Sequence, residues 1–144
     1  LYYMIKLFYV TIFSLLIFAQ ISCDKDDDDP INYDYHAHII SPSNADKNLA
    51  ETLFINVNFE SHAGEAVKHL NVRIFNAANT LEVYNQPSNP HIAGDASSYN
   101  FSDQFVLSTA NGVTAGDWIL EAKVWGAEDG SDEVLERVEF HVHP

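Results

Sequence analysis

The feature that most limits what this chain can become is a two-residue rhythm of apolar side chains. Residues 51–60, Glu-Thr-Leu-Phe-Ile-Asn-Val-Asn-Phe-Glu, put Leu53, Ile55, Val57 and Phe59 on one side of an extended strand. The same rhythm places Leu70, Val72 and Ile74 together within 68–77. In 117–126 it sets Trp118, Leu120, Ala122 and Val124 opposite Ile119, Glu121, Lys123 and Trp125. Within 132–143 it groups Val134, Val138, Phe140 and Val142. Shorter strands are predicted over 34–41, 80–85 and 99–108. Turn-forming stretches separate them: Asn76-Ala-Ala-Asn79, a loop from Gln86 to Asp95 with breakers Pro87, Pro90 and Gly94, and turns at 109–116 and 126–130. No stretch sustains a helical period, and 43–50 has room for one turn at most.

About seven antiparallel strands spaced by turns in a domain of this length predict an all-β, immunoglobulin-like (fibronectin-III-like) sandwich over residues 33–144. Trp118, Phe59, Phe105 and Phe140 are the expected centre of its core. With one cysteine in the chain no internal disulfide can staple it, so apolar burial has to carry the fold. The composition supplies enough for that: 47% of residues are hydrophobic and 12% aromatic, too many for a disordered chain.

The first 32 residues read differently. Leu1 to Tyr3 precede the single methionine, Met4, and are expected to lie upstream of the true start. From Met4, Lys6 opens an apolar run from Leu7 to Ala19, long enough for a signal h-region and short of the ~20 residues that span a bilayer. Gln20-Ile21-Ser22-Cys23 follows, and it resembles the lipobox at which bacterial lipoprotein signal peptides are cleaved, with Gln20 standing where Leu is usual. The resemblance implies a signal peptide over 1–22 and lipidation at Cys23. Asp24-Lys25-Asp26-Asp27-Asp28-Asp29-Pro30 then forms an acidic linker to residue 32, similar to the export signal of Bacteroidetes surface lipoproteins. With the stretch Ala115-Gly-Asp-Trp-Ile-Leu-Glu-Ala-Lys-Val-Trp-Gly126, similar to the sixth strand of bacterial Ig-like modules, the chain resembles uncharacterised Bacteroidetes-type surface lipoproteins with a domain of unknown function. What the resemblance implies is a location at the outer membrane, lipid-anchored and exposed at the cell surface. An EF-hand does not fit the aspartate run, because Asp29 stands where the loop needs Gly and Tyr35 where it needs Glu.

Charge narrows the partners. The formal charge is −14, and removal of Lys6 with the signal segment leaves six cations against 21 carboxylates. Such a surface repels a phosphate backbone, so no nucleic-acid partner is expected. The membrane, reached through the lipid, and an envelope protein are the expected partners.

Histidine is the residue that carries candidate chemistry. All seven follow Cys23, and two pairs have i, i+2 spacing: His36 with His38 in the first strand and His141 with His143 in the last. Each pair projects from one side of its strand, and two imidazoles so placed can ligate one Zn²⁺ or Cu²⁺. First and last strands often lie side by side in Ig-like sandwiches, which would gather all four imidazoles into one outer patch. His62, with the outward parity of Asn56, Asn58 and Glu60, is a further ligand candidate, while His69 and His91 look isolated. Such a patch also gains charge below pH ~6.5. Trp125 is read as a sugar-stacking platform or an edge-of-core residue, and Glu128, Asp129, Asp132 and Glu133 as a Ca²⁺ cluster or solvated turn charges. No nucleophile elbow, His-Glu-x-x-His zinc motif or phosphate loop occurs. The expected function is therefore non-enzymatic: a cell-envelope lipoprotein whose Ig-like domain binds a ligand, a transition metal on the histidine patch being the most specific. The alternative is a structural or accessory module that partners an outer-membrane transporter or adhesin without metal.

Overall fold

Apolar alternation becomes two stacked sheets. The computed structural model describes residues 34–62, 64–92, 94–126 and 133–144, all within one unit that spans Asn32–Pro144. The expected signal segment over 1–22, Cys23 and the expected acidic linker lie outside the described residues, as do Glu128, Asp129 and Asp132. The strands are β1 Tyr35–Ser41, β2 Lys47–Asn48, β3 Thr52–Ser61, β4 His69–Asn76, β5 Glu82–Gln86, β6 Ser98–Val106, β7 Gly116–Trp125 and β8 Val134–His143. One sheet has the order β1-β3-β6 and the other β2-β8-β7-β4-β5. Every pairing is antiparallel except the short parallel contact of β2 with β8. The all-β sandwich expected from the strand pattern is therefore what forms.

The alternation sorts side chains as the pleat requires. Along β3, Leu53, Ile55, Val57 and Phe59 are buried and their neighbours face outward. Across the sandwich they meet Leu70, Val72 and Ile74 of β4, Trp118, Leu120 and Val124 of β7, and Phe140 and Val142 of β8. Each fully buried aliphatic or aromatic side chain of this kind stabilises the fold by about 1.5–3 kcal/mol. Trp118 keeps its polar end satisfied by donating its indole N–H to the Thr114 carbonyl at 2.9 Å. Phe59, Trp118 and Phe140 form the centre as expected, but Phe105 does not, because β6 is an edge strand. Phe105 is half-buried and packs edge-on against Tyr84 of β5, at 5.4 Å between ring centroids. The Tyr84 hydroxyl closes that side of the sandwich by donating to Asp103 Oδ2 at 2.5 Å. Burial and the neighbouring carboxylate both push the Tyr84 phenol well above its ordinary range.

One element was not expected. After pairing with β3, the first strand carries a bulge between Ile39 and Ser41, and the chain turns through the cis Ser41–Pro42 bond. It then crosses to the other sheet, where Lys47–Asn48 pairs with Val142 and His143. The stretch 43–50, read as having room for one helical turn at most, thus supplies a two-residue strand. Farther on, residues 109–111 form a 3₁₀ turn capped by Ser108 and ended by Gly112 at φ +83°.

Candidate functional site

In β1 the inward positions are Tyr35 and Ala37, so His36 and His38 stand on the outer face of the three-stranded sheet. Register places His36 opposite Glu60 and His38 opposite Asn58. His62 joins them because its N–H donates to the Asp34 carbonyl at 2.9 Å, which ties the end of β3 to the start of β1. The His36 ring lies parallel to that of His38 at 6.0 Å and meets that of His62 edge-on at 4.8 Å.

Two carboxylates border this imidazole cluster. His36 Nε2 is 3.1 Å from Asp34 Oδ1, and His62 Nε2 is 3.5 Å from Glu60 Oε2. Glu60 also accepts from the Asn58 amide, which steadies it. With Nε2 turned to a carboxylate, Nδ1 is the nitrogen each ring has left for a ligand, and such carboxylate partners orient metal-bound imidazoles. Among the described residues, however, no three His, Cys, Asp or Glu side chains converge on one point that would hold an ion. The side chains of His36 and His62 are 45% and 55% exposed, so they are free to rotate toward a common ligand.

His141 and His143 form a separate cluster. The four-imidazole patch expected of the first and last strands does not form, because β1 and β8 belong to different sheets. The crossing after the bulge brings β2, not β1, alongside the end of β8. The partners of this pair are accordingly aspartates: His141 Nδ1 lies 2.6 Å from Asp117 Oδ1, and His143 Nε2 lies 2.8 Å from Asp46 Oδ2. The two rings are 4.7 Å apart. The hydrogen bond from His143 holds the Asp46 carboxyl below its ordinary value.

His69 and His91, expected to be isolated, are partners. The loop after β5 returns along the start of β4, with Leu70 N–H donating to the Pro90 carbonyl at 3.1 Å and Ile92 N–H to that of Lys68 at 2.7 Å. This sets His91 Nδ1 3.4 Å from His69 Nε2. His69 also stacks on Trp125 at 5.5 Å, and Lys123 Nζ lies 4.5 Å from the centre of the Trp125 ring. Trp125 is buried by these neighbours, which removes the exposed sugar platform. The buried Nδ1 of His69 has no partner among the described residues. An ion on Nε2 would force the ring proton onto that unpartnered nitrogen, so this pair is a hydrogen bond and a poor metal site.

On the outer face of the five-stranded sheet, Arg73, Glu121 and Arg137 stand in one cross-strand row. Arg73 Nε donates to Glu121 Oε1 at 2.7 Å and Arg137 Nε to Oε2 at 2.6 Å. Burial pushes the Glu121 carboxyl up, but the two guanidinium hydrogen bonds outweigh it and hold the group below its ordinary value. With Asn71, Asn85 and Lys123 the row lines a shallow polar depression of about 210 Å³.

No protein-family model matches the chain, and no curated protein matches it. Among solved structures, the CARDB domain of a Pyrococcus furiosus protein, in complex with di-metal ions, superposes with a TM-score of 0.52. The identity is 13%, over 78% of this chain and 94% of that one. The solution NMR structure of that domain gives a TM-score of 0.52 at 15% identity, over 76% and 94% of the two chains. The likeness is one of fold.

Within this sandwich, sequence parity placed the outward histidines of β1 and β8 and the outward parity of His62. It missed the His69–His91 contact, which depends on a loop that carries no periodic signal. It also passed over the Arg73–Glu121–Arg137 row, which needs register across three strands.

Proposed function

We propose that this chain is a non-enzymatic binding module of a bacterial cell envelope, lipid-anchored through Cys23, that takes a Zn²⁺ or Cu²⁺ ion on the outer face of its three-stranded sheet. The observation that carries the reading is the cluster of His36, His38 and His62, with Asp34 and Glu60 placed to orient two of the rings. Imidazole suits both ions, and water completes a coordination shell that the protein leaves open. A CARDB domain has been determined with di-metal ions, so metal binding is compatible with this architecture. The open, polar character of the described depressions supports binding rather than catalysis, which needs a concave pocket that excludes water.

Calorimetric titration of Zn²⁺ and Cu²⁺ into the full chain tests the metal reading. Saturable heat that disappears in a His36→Ala/His38→Ala/His62→Ala variant, and persists in His141→Ala/His143→Ala, is the expected result. Equal heats in all three proteins, or none, would overturn it. The anchor is tested separately: Cys23→Ala should move the protein from the membrane fraction to the soluble one, and protease added to intact cells should remove the sandwich.

A further inference from the structure

Strand edges are where sandwich domains accept other chains, and the edges of this one are unequally guarded. The outer edge of β5 is short and bulged at Val83, opposite Ile74 and Phe75 of β4. On β6, Leu107 N–H donates to the Glu51 carbonyl and the Ser97 carbonyl accepts from Ser61 N–H, so odd residues bond β3 and even ones face the free edge. There the Gln104 N–H already donates to Asp103 Oδ1 and the Val106 carbonyl accepts from the Asn111 amide, which closes the Gln104–Val106 end of that edge.

The β8 edge is different. Leu49 N–H donates to the His143 carbonyl at 2.9 Å, so the odd residues of β8 present their backbone groups to the β2 side. Pairing with β2 ends at Val142 and His143. The backbone groups of Leu135, Arg137 and Glu139 on that side have no partner among the described residues, over a stretch of about 13 Å. Beside them the bulged end of β1 leaves an open groove of about 540 Å³ between the sheets. Ile39, Ile40 and Val138 make its apolar wall, and Ile40 is 62% exposed. Glu136 and Glu139 add two carboxylates with no cation paired to them among the described residues, Glu136 on the inward face with Val134 and Val138 and Glu139 on the outward face beside Arg137, whose charge is taken by Glu121.

We infer that this groove is a docking site for an extended, basic strand of a partner protein, which would continue the β2 side of the five-stranded sheet by main-chain pairing with Leu135, Arg137 and Glu139. The free backbone groups supply the pairing, the isoleucines and Val138 receive alternate apolar side chains on the inward face, and Glu139 selects lysine or arginine at the outward positions between. A second copy of the chain is a poor occupant, because each carries a formal charge of −14. The inference is independent of the imidazole face, which lies on the other sheet.

Hydrogen exchange of the full chain tests it, with a synthetic heptapeptide of alternating valine and lysine as the probe. A valine–glutamate counterpart and a valine–lysine peptide with a central proline serve as controls. The valine–lysine peptide should slow exchange of the Leu135, Arg137 and Glu139 amides by about tenfold or more, and the controls should not. Glu139→Pro removes a free-edge N–H without touching the β7 ladder, and should abolish the effect while the protein still melts cooperatively. Should that variant fail to fold, Glu139→Lys, at the outward carboxylate, should instead transfer the preference to the valine–glutamate peptide. No slowing at these amides, equal slowing by both charged peptides, an unchanged preference in Glu139→Lys, or protection that grows with protein concentration alone would each overturn the inference.

Discussion

At the scale of single residues, Glu121 has the most consequential environment. Its carboxylate is 4% exposed and shared by two arginines that are themselves 40% and 55% exposed. Removing both Arg73 and Arg137 leaves a buried charge without a partner and should cost about 3–5 kcal/mol in chemical denaturation, while either single alanine variant should cost less. The pH dependence follows from the depressed folded value. A carboxyl that holds its proton less tightly when folded contributes stability that is fully present above its unfolded value of ~4.3. That contribution is lost as pH falls through the lower folded value. Glu121→Gln should therefore flatten the acid side of a plot of stability against pH, and an unchanged acid limb would refute the assignment. In the core, Phe59→Ala removes a ring with no exposed surface and should cost about 3–5 kcal/mol by the same measurement.

At the scale of elements, the turns decide what the strands can do. Gly112 ends the 3₁₀ turn at φ +83°, and a Cβ there would meet Val83 Cγ1 at 3.3 Å. Gly112→Ala should cost about 1–2 kcal/mol in urea denaturation from the left-handed backbone alone. The long strands were legible because alternation such as that of Leu53, Ile55, Val57 and Phe59 has one physical cause, a sheet with one face buried. The elements that sequence missed depend on contacts far along the chain. Lys47–Asn48 becomes a strand only because β8 offers it an edge, and His91 meets His69 only because the 87–92 stretch folds back along β4. Phe105 looked central because alternation reports which face a residue occupies, and it carries no information on whether the strand is an edge.

At the scale of the whole molecule, the crossing from β1 to β2 sets the functional layout. It divides the four expected imidazoles between two sheets, leaving His36 and His38 with His62, and His141 and His143 with Asp117 and Asp46. The same crossing opens the groove beside β8. Sequence parity was enough to turn each histidine pair outward, but sheet membership is a property of the complete strand order and cannot be read from one strand. The central claim is that the cluster of His36, His38 and His62 is the metal-binding face. The most direct measurement is an NMR titration of imidazole ring resonances as Zn²⁺ is added to the full chain. The rings of His36, His38 and His62 should shift together and saturate while those of His141 and His143 stay in place. Saturable shifts confined to His141 and His143, or no ring shifting at all, would contradict it.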